Sequence, residues 1–158
     1  MHWLSFICVL LPVISIHAVR YKDCHTGRFT KESEVEIVGC KKLPCPLYRN
    51  EIIDIHIKFR TNVDTPFVKN RVYANIFKIP IPWIFFHGNN ICGKVFDVET
   101  GKPVDCPLKG KKEYLYKETL KVSELYPKMK VNIQWTLLDK NQDELLCFEA
   151  PVKMDNHL

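Results

Sequence analysis

Ile53-Asp54-Ile55-His56-Ile57-Lys58-Phe59-Arg60 and Val131-Asn132-Ile133-Gln134-Trp135-Thr136-Leu137 alternate apolar and polar side chains along their length. Successive side chains of a strand point to opposite faces, so this period of two describes strands with one face on a core and one in water. Working outward, the same signal recurs more weakly in Ser33 to Val38, Arg71 to Phe77, Glu113 to Lys117 and Leu145 to Lys153. Turn-forming pieces separate these runs: Asn89-Asn90, Glu99-Thr100-Gly101-Lys102-Pro103 and Lys109-Gly110-Lys111. No segment carries a sustained helical stripe. Six or seven short strands without helical crossovers predict antiparallel sheets that stack or close, with an immunoglobulin-like β-sandwich as the leading all-β architecture.

One stretch resists this scheme. Ile79-Pro80-Ile81-Pro82-Trp83-Ile84-Phe85-Phe86 is strongly apolar, yet its two prolines remove two backbone donors. Such a segment belongs at a sheet edge or in an extended loop. Its apolar surface is expected to pack on the protein's own core, on a partner or on a ligand.

The first residues are unlike the rest. Trp3 to Ile14 is almost wholly apolar, and Ile16-His17-Ala18 suits the cleavage site of a secretory signal. The run is too short for a membrane span, which needs about 20 residues. Residues 1–18 are therefore read as a signal peptide and 19–158 as one domain, long enough to enclose a core. The formal charge of +5 is modest, and without an Arg/Lys stripe interleaved with aromatics it does not predict nucleic-acid binding. Setting aside Cys8 in the signal, Cys24, Cys40, Cys45, Cys92, Cys106 and Cys147 remain. An even set in an exported chain reads as three disulfides. Zinc is disfavoured, since neither paired C-x-x-C units nor an H-x-x-x-H pattern occurs.

Catalytic groups are sparse. Ser33 and Ser123 are the only serines after the signal and neither stands in a G-x-S-x-G setting, paired thiols cannot act as nucleophiles, and no phosphate-binding glycine loop occurs. His25, His56 and His87 read as surface residues, and Lys109-Gly110-Lys111-Lys112 as a solubilising hairpin tip able to approach an anionic membrane. The expectation is a protein that is not an enzyme and uses neither metal nor cofactor.

A family resemblance joins these pieces. Tyr21-Lys22-Asp23-Cys24, Cys40-Lys41-Lys42-Leu43-Pro44-Cys45-Pro46-Leu47, Ile79-Pro80-Ile81-Pro82, Tyr126-Pro127-Lys128-Met129-Lys130-Val131, Trp135-Thr136-Leu137-Leu138-Asp139 and Leu146-Cys147-Phe148-Glu149-Ala150-Pro151-Val152 occur in the order seen in the ML lipid-recognition family. The chain most resembles the family's Niemann-Pick type C sterol carriers, with mite group-two allergens as more distant relatives. The resemblance implies the pairs Cys24–Cys147, Cys40–Cys45 and Cys92–Cys106, and a lipid held between the two sheets. It places the mouth aromatic of the ligand site on Trp83, a lining valine on Val122 and a gating tyrosine on Tyr126. Trp83 departs from the phenylalanine of the sterol carriers, Ile84-Phe85-Phe86 replaces the prolines that follow it there, and the Cys92 to Cys106 loop is longer. These departures reshape the entrance.

The implied function is a secreted carrier of a cholesterol-like sterol. The alternatives are an extracellular carrier of fatty acids or other small hydrophobic signalling molecules, and a recognition module of innate immunity without cargo. Expected partners are the lipid and a membrane surface or membrane sterol acceptor, with the chain itself a monomer. No N-x-S/T sequon is present, the nearest approach being Asn90-Ile91-Cys92, which favours extracellular work over a glycan-addressed lysosomal site.

Overall fold

A computed structural model of the chain describes residues 19–31 and 34–157; the proposed signal lies outside the described residues. Eleven strands follow in chain order: β1 (Lys22–Asp23), β2 (Val35–Ile37), β3 (Cys45–Tyr48), β4 (Ile52–Arg60), β5 (Lys69–Ile76), β6 (Ile79–Pro82), β7 (Val95–Asp97), β8 (Pro103–Val104), β9 (Glu113–Lys121), β10 (Lys130–Leu138) and β11 (Glu144–Asp155). One sheet runs β1-β11-β10-β5-β6, and the other β2-β4-β9-β7-β8. They form an all-β sandwich of immunoglobulin type, with no helix among the described residues.

The two alternating runs sit where their pattern requires. Ile55, Ile57 and Phe59 of β4 face Val131, Ile133, Trp135 and Leu137 of β10 across a common core, each 6% exposed or less. Two expectations need correction. The strands number eleven, not six or seven, because β1, β3, β7 and β8 are too short to show a period. Pairing is not wholly antiparallel either, since β3 runs parallel to β11 along its far edge, Cys45 opposite Val152.

The disulfides pair as the resemblance implied, Cys24–Cys147, Cys40–Cys45 and Cys92–Cys106. The first ties the start of the domain to its last strand across 123 residues of sequence.

Deep in the sandwich a chain of polar side chains crosses from one sheet to the other. Trp135 Nε1 donates to Asn70 Oδ1 at 2.8 Å, and Asn70 Nδ2 donates to the Tyr116 hydroxyl at 2.9 Å. That hydroxyl donates to Glu118, whose carboxylate also takes the Lys94 ammonium at 2.7 and 2.9 Å. Burial, reinforced by the Glu118 carboxylate, pushes the pKa of the Tyr116 hydroxyl far above the usual tyrosine value. Each member of this series, from Trp135 to Lys94, has a partner, which is the condition for placing polar atoms inside a core.

Candidate functional site

The proline-rich stretch forms an edge strand. β6 pairs only with β5, placing Tyr73 opposite Pro82 and Asn75 opposite Pro80. The backbone N–H of Trp83 donates to Val72 O at 3.0 Å, so alternate residues of the strand turn the same way, and the two proline nitrogens face away from the sheet. The prolines therefore cost no ladder bond and close this edge to further strands.

After β6 the chain turns sharply at Trp83, whose carbonyl accepts from the backbone N–H groups of Phe86 (2.9 Å) and His87 (2.8 Å). The His87 ring locks the turn, its Nδ1–H donating to Val72 O at 3.0 Å. His87 is thus half-buried and structural, where a surface residue was expected. The turn throws Ile84 and Phe85 outward, 83% and 68% exposed, while Trp83 points inward at 8%. The apolar stretch is thus covered by the protein's own core chiefly at Trp83, and its outward members are left for a partner or a ligand. Its exposed members form one side of an opening.

That opening is a cavity of about 210 Å³ at one end of the sandwich. Ala74 and Ile76 of β5, Val131 and Ile133 of β10, and Met129 and Met154 make its walls, with Trp83 and Tyr126 at its rim. Alternation explains the apolar lining: each strand contributes its inward set, and no polar partner competes. Trp83 Nε1 donates to the Tyr126 hydroxyl at 2.6 Å, and the two rings meet edge-on with centroids 5.9 Å apart. A second, much smaller space of about 10 Å³ lies deeper, lined by Ile37, Leu47, Ile55, Trp135 and Phe148. Trp83 and Ile133 border both spaces, so these two side chains stand between the mouth and the inner gap.

Of the residues singled out from sequence, Trp83 and Tyr126 are brought into direct contact. Val122 is buried just past the end of β9, 1% exposed, and lines neither space. Sequence reasoning missed Ala74, Met129, Ile133 and Met154. For Ala74, Ile133 and Met154 the signal was a place on the inward face of a strand, which does not distinguish a cavity wall from a packed core, and Met129, just before β10, carried no such signal. Among the described residues, the only group of three with metal-binding atoms in mutual reach is His25, Glu144 and Cys147. Cys147 is spent in a disulfide and Glu144 is engaged by His25 and Arg71, so no ion is called for.

Residues 18–154 match the sequence profile of the ML domain. The chain belongs to the ML domain family. Among curated relatives, the NPC intracellular cholesterol transporter 2 homolog a of Drosophila melanogaster is 32% identical over 151 residues, covering 93% of this chain and 94% of its own. A mite group 2 allergen of Glycyphagus domesticus is 28% identical, covering 73% and 82%. Among solved structures, a Niemann-Pick type C2 protein from the Japanese carpenter ant superposes with a TM-score of 0.66 at 24% identity, covering 85% of this chain and 98% of that one. The last likeness speaks for the fold. ML membership agrees with the resemblance read from the cysteine order and the Ile79-Pro80-Ile81-Pro82 edge.

Proposed function

We propose that this ML protein is a secreted, monomeric lipid carrier that takes a sterol-like molecule through the Trp83–Tyr126 mouth. The observation that carries the reading is the apolar cavity that opens between Trp83, Tyr126 and the inward faces of β5 and β10. Pockets for small molecules commonly measure about 300–1,000 Å³, so the 210 Å³ space receives only the leading part of a ligand. The rest is accommodated as Trp83 and Ile133 yield and the inner gap widens. Val122 then becomes part of the wall, as the family resemblance suggests. The polar chain through Asn70 and Tyr116 holds the sheets together at the deep end, and the mouth end, with apolar walls, is free to part.

Delivery requires the mouth to meet a membrane. Phe77, at the tip of the β5–β6 hairpin, has a positive φ of 50° and is 88% exposed. Lys78 beside it completes a tight turn with φ 68°. Ile79, Ile84, Phe85 and Leu125 are also exposed around the opening. No Asp or Glu occurs between Arg71 and Phe96 or between Leu125 and Leu138, whereas Lys78, Lys128 and Lys130 do. An apolar rim dotted with cations suits an anionic bilayer. Secretion is supported by residues 1–18 and by three disulfides, which persist in oxidising compartments.

The test is mass spectrometry of organic extracts of protein purified from a eukaryotic host, followed by titration with a fluorescent sterol. A stoichiometric lipid and saturable binding are expected. An empty protein that binds no sterol would favour the cargo-free recognition module instead.

A further inference from the structure

Beside the apolar mouth lies a second cleft of different chemistry. It measures about 540 Å³ and opens on the flank of the sandwich, where β7 ends and the edge of β9 is left uncovered. It shares Phe85 and Tyr126 with the mouth, so those two side chains form a common wall. Its charged groups are Lys94, Glu118, Lys121 and Glu124, with Asn50, Thr119 and Ser123 as neutral polar neighbours.

Glu118 is unusual in its place. Tyr114, Tyr116, Glu118 and Leu120 are the inward set of β9, so the strand alternation puts a carboxylate where an apolar residue is the rule. Its side chain is 6% exposed. A buried ion pair rarely adds stability over an apolar pair of the same shape, because desolvation offsets the attraction. Stability therefore does not explain why the strand carries an acid at this point. What the acid does is hold Lys94 in one position. Both carboxylate oxygens accept from the Lys94 ammonium, which spends part of its donor capacity and leaves that side chain 52% exposed at the cleft. The Ser123 hydroxyl accepts from the Leu125 N–H and keeps its own proton to donate. Lys121 forms no ion pair among the described residues. Glu124, the other acid of the cleft, takes the Asn50 amide at 3.5 Å. The cleft is thus near neutral overall, and Lys94, Lys121 and Ser123 each present a donor to it.

We propose that this cleft is a subsite for the head of a carboxylate-bearing amphiphile, whose chain lies in the apolar mouth and whose carboxylate passes Tyr126 to reach Lys94 Nζ and the Ser123 hydroxyl. The inference rests on the carrier reading above and selects fatty-acid-like ligands within it. Lys94 is the residue that discriminates, Glu118 is the residue that positions it, and the negative charge of Glu118 limits how tightly an anion is held.

The experiment compares palmitate with hexadecanol, which has the same chain and no charge, by displacement of a fluorescent apolar probe. A fluorescent sterol serves as the control for the mouth. In the natural protein palmitate is expected to bind about ten-fold tighter than hexadecanol, in keeping with a charge-assisted hydrogen bond. Lys94→Met should abolish that preference, with palmitate affinity falling much further than hexadecanol affinity. Glu118→Gln keeps the shape of the side chain and one acceptor oxygen for Lys94, and should widen the preference. Because Lys94→Met leaves a buried carboxylate unpaired, the Lys94→Met/Glu118→Gln double variant removes both charges and should also bind the two ligands equally. A palmitate-to-hexadecanol ratio that is the same in all four proteins would overturn the proposal. Sterol binding with no binding of either chain would overturn it too, while leaving the carrier reading intact. Failure of every lipid, sterol included, would remove the carrier reading on which it stands.

Discussion

Ala74 lies on the inward face of β5, between Ile133 of β10 and Ile81 of β6, and its methyl group borders the mouth. Replacing it with phenylalanine drives a ring into the space assigned to lipid. An enclosed cavity forgoes about 24 cal/mol per Å³, so the 210 Å³ space corresponds to roughly 5 kcal/mol if sealed. Because it opens to water on one side, about half of that is recoverable, and a single ring recovers part of the remainder, about 1–2 kcal/mol. At roughly 3 °C per kcal/mol for a domain of this size, the thermal midpoint of lipid-free protein should rise by about 3–6 °C. Fluorescent-sterol affinity should fall by about ten-fold or more, since the ring occupies the ligand's place. The assay is therefore paired, with calorimetry on delipidated protein and a binding titration on the same batch. If the wall were close-packed, the added ring would cost about 1–3 kcal/mol by overpacking. A lower midpoint with unchanged sterol affinity would refute the argument that this end of the sandwich holds space for a lipid.

Three further outcomes are expected. Tyr116→Phe deletes the hydroxyl that joins Asn70 to Glu118, leaving two buried groups short of a partner, and should lower stability by about 1–3 kcal/mol in denaturant titrations. Removing the Cys24–Cys147 bond by a double alanine change releases a loop of 123 residues and should cost about 4–5 kcal/mol in the chain-entropy model, visible as a shifted urea midpoint. The His25 pKa is raised, first by the hydrogen bond to Glu144 and then by that carboxylate's charge. The raised value means that the contact stabilises the fold fully below the ordinary histidine range and is lost as pH rises through the folded-state pKa. His25→Gln should flatten that part of the stability–pH curve, and NMR titration showing an ordinary or depressed His25 pKa would contradict the assignment.

Sequence was most informative where one face of a strand is buried. The periods of β4 and β10 are visible because each must present a continuous apolar face to the other sheet, and an exposed or two-sided strand carries no such obligation. Pro80 and Pro82 placed β6 at an edge for a similar reason, since a missing donor has only one tolerable direction. The short strands β1, β3, β7 and β8 escaped notice because two to four residues define no clear period; β3 is held by Cys45 and by a parallel partner remote in sequence. Trp83 and Tyr126 were reached through the family resemblance. Their hydrogen bond, across 43 positions of sequence, depends on a turn that only the fold reveals.

Glu118 shows the limit most clearly, and also how it could have been passed. Read along β9, Tyr114-x-Tyr116-x-Glu118-x-Leu120 breaks an inward apolar set with a carboxylate, and a break of that kind asks for a partner. The sequence does not say whether the acid turns outward, pairs with a cation or serves a ligand, because Lys94 lies 24 residues away and Asn70 in the opposite sheet. In the structure the pair sits where β7 stops, so the same irregularity that uncovers the edge of β9 also gives Lys94 access to the flank. A regular, longer β7 would have covered this edge with another strand and closed the cleft. The polar chain that locks the deep end of the sandwich and the cleft beside its mouth therefore share one origin, an acid placed on the inward face at the point where a strand ends.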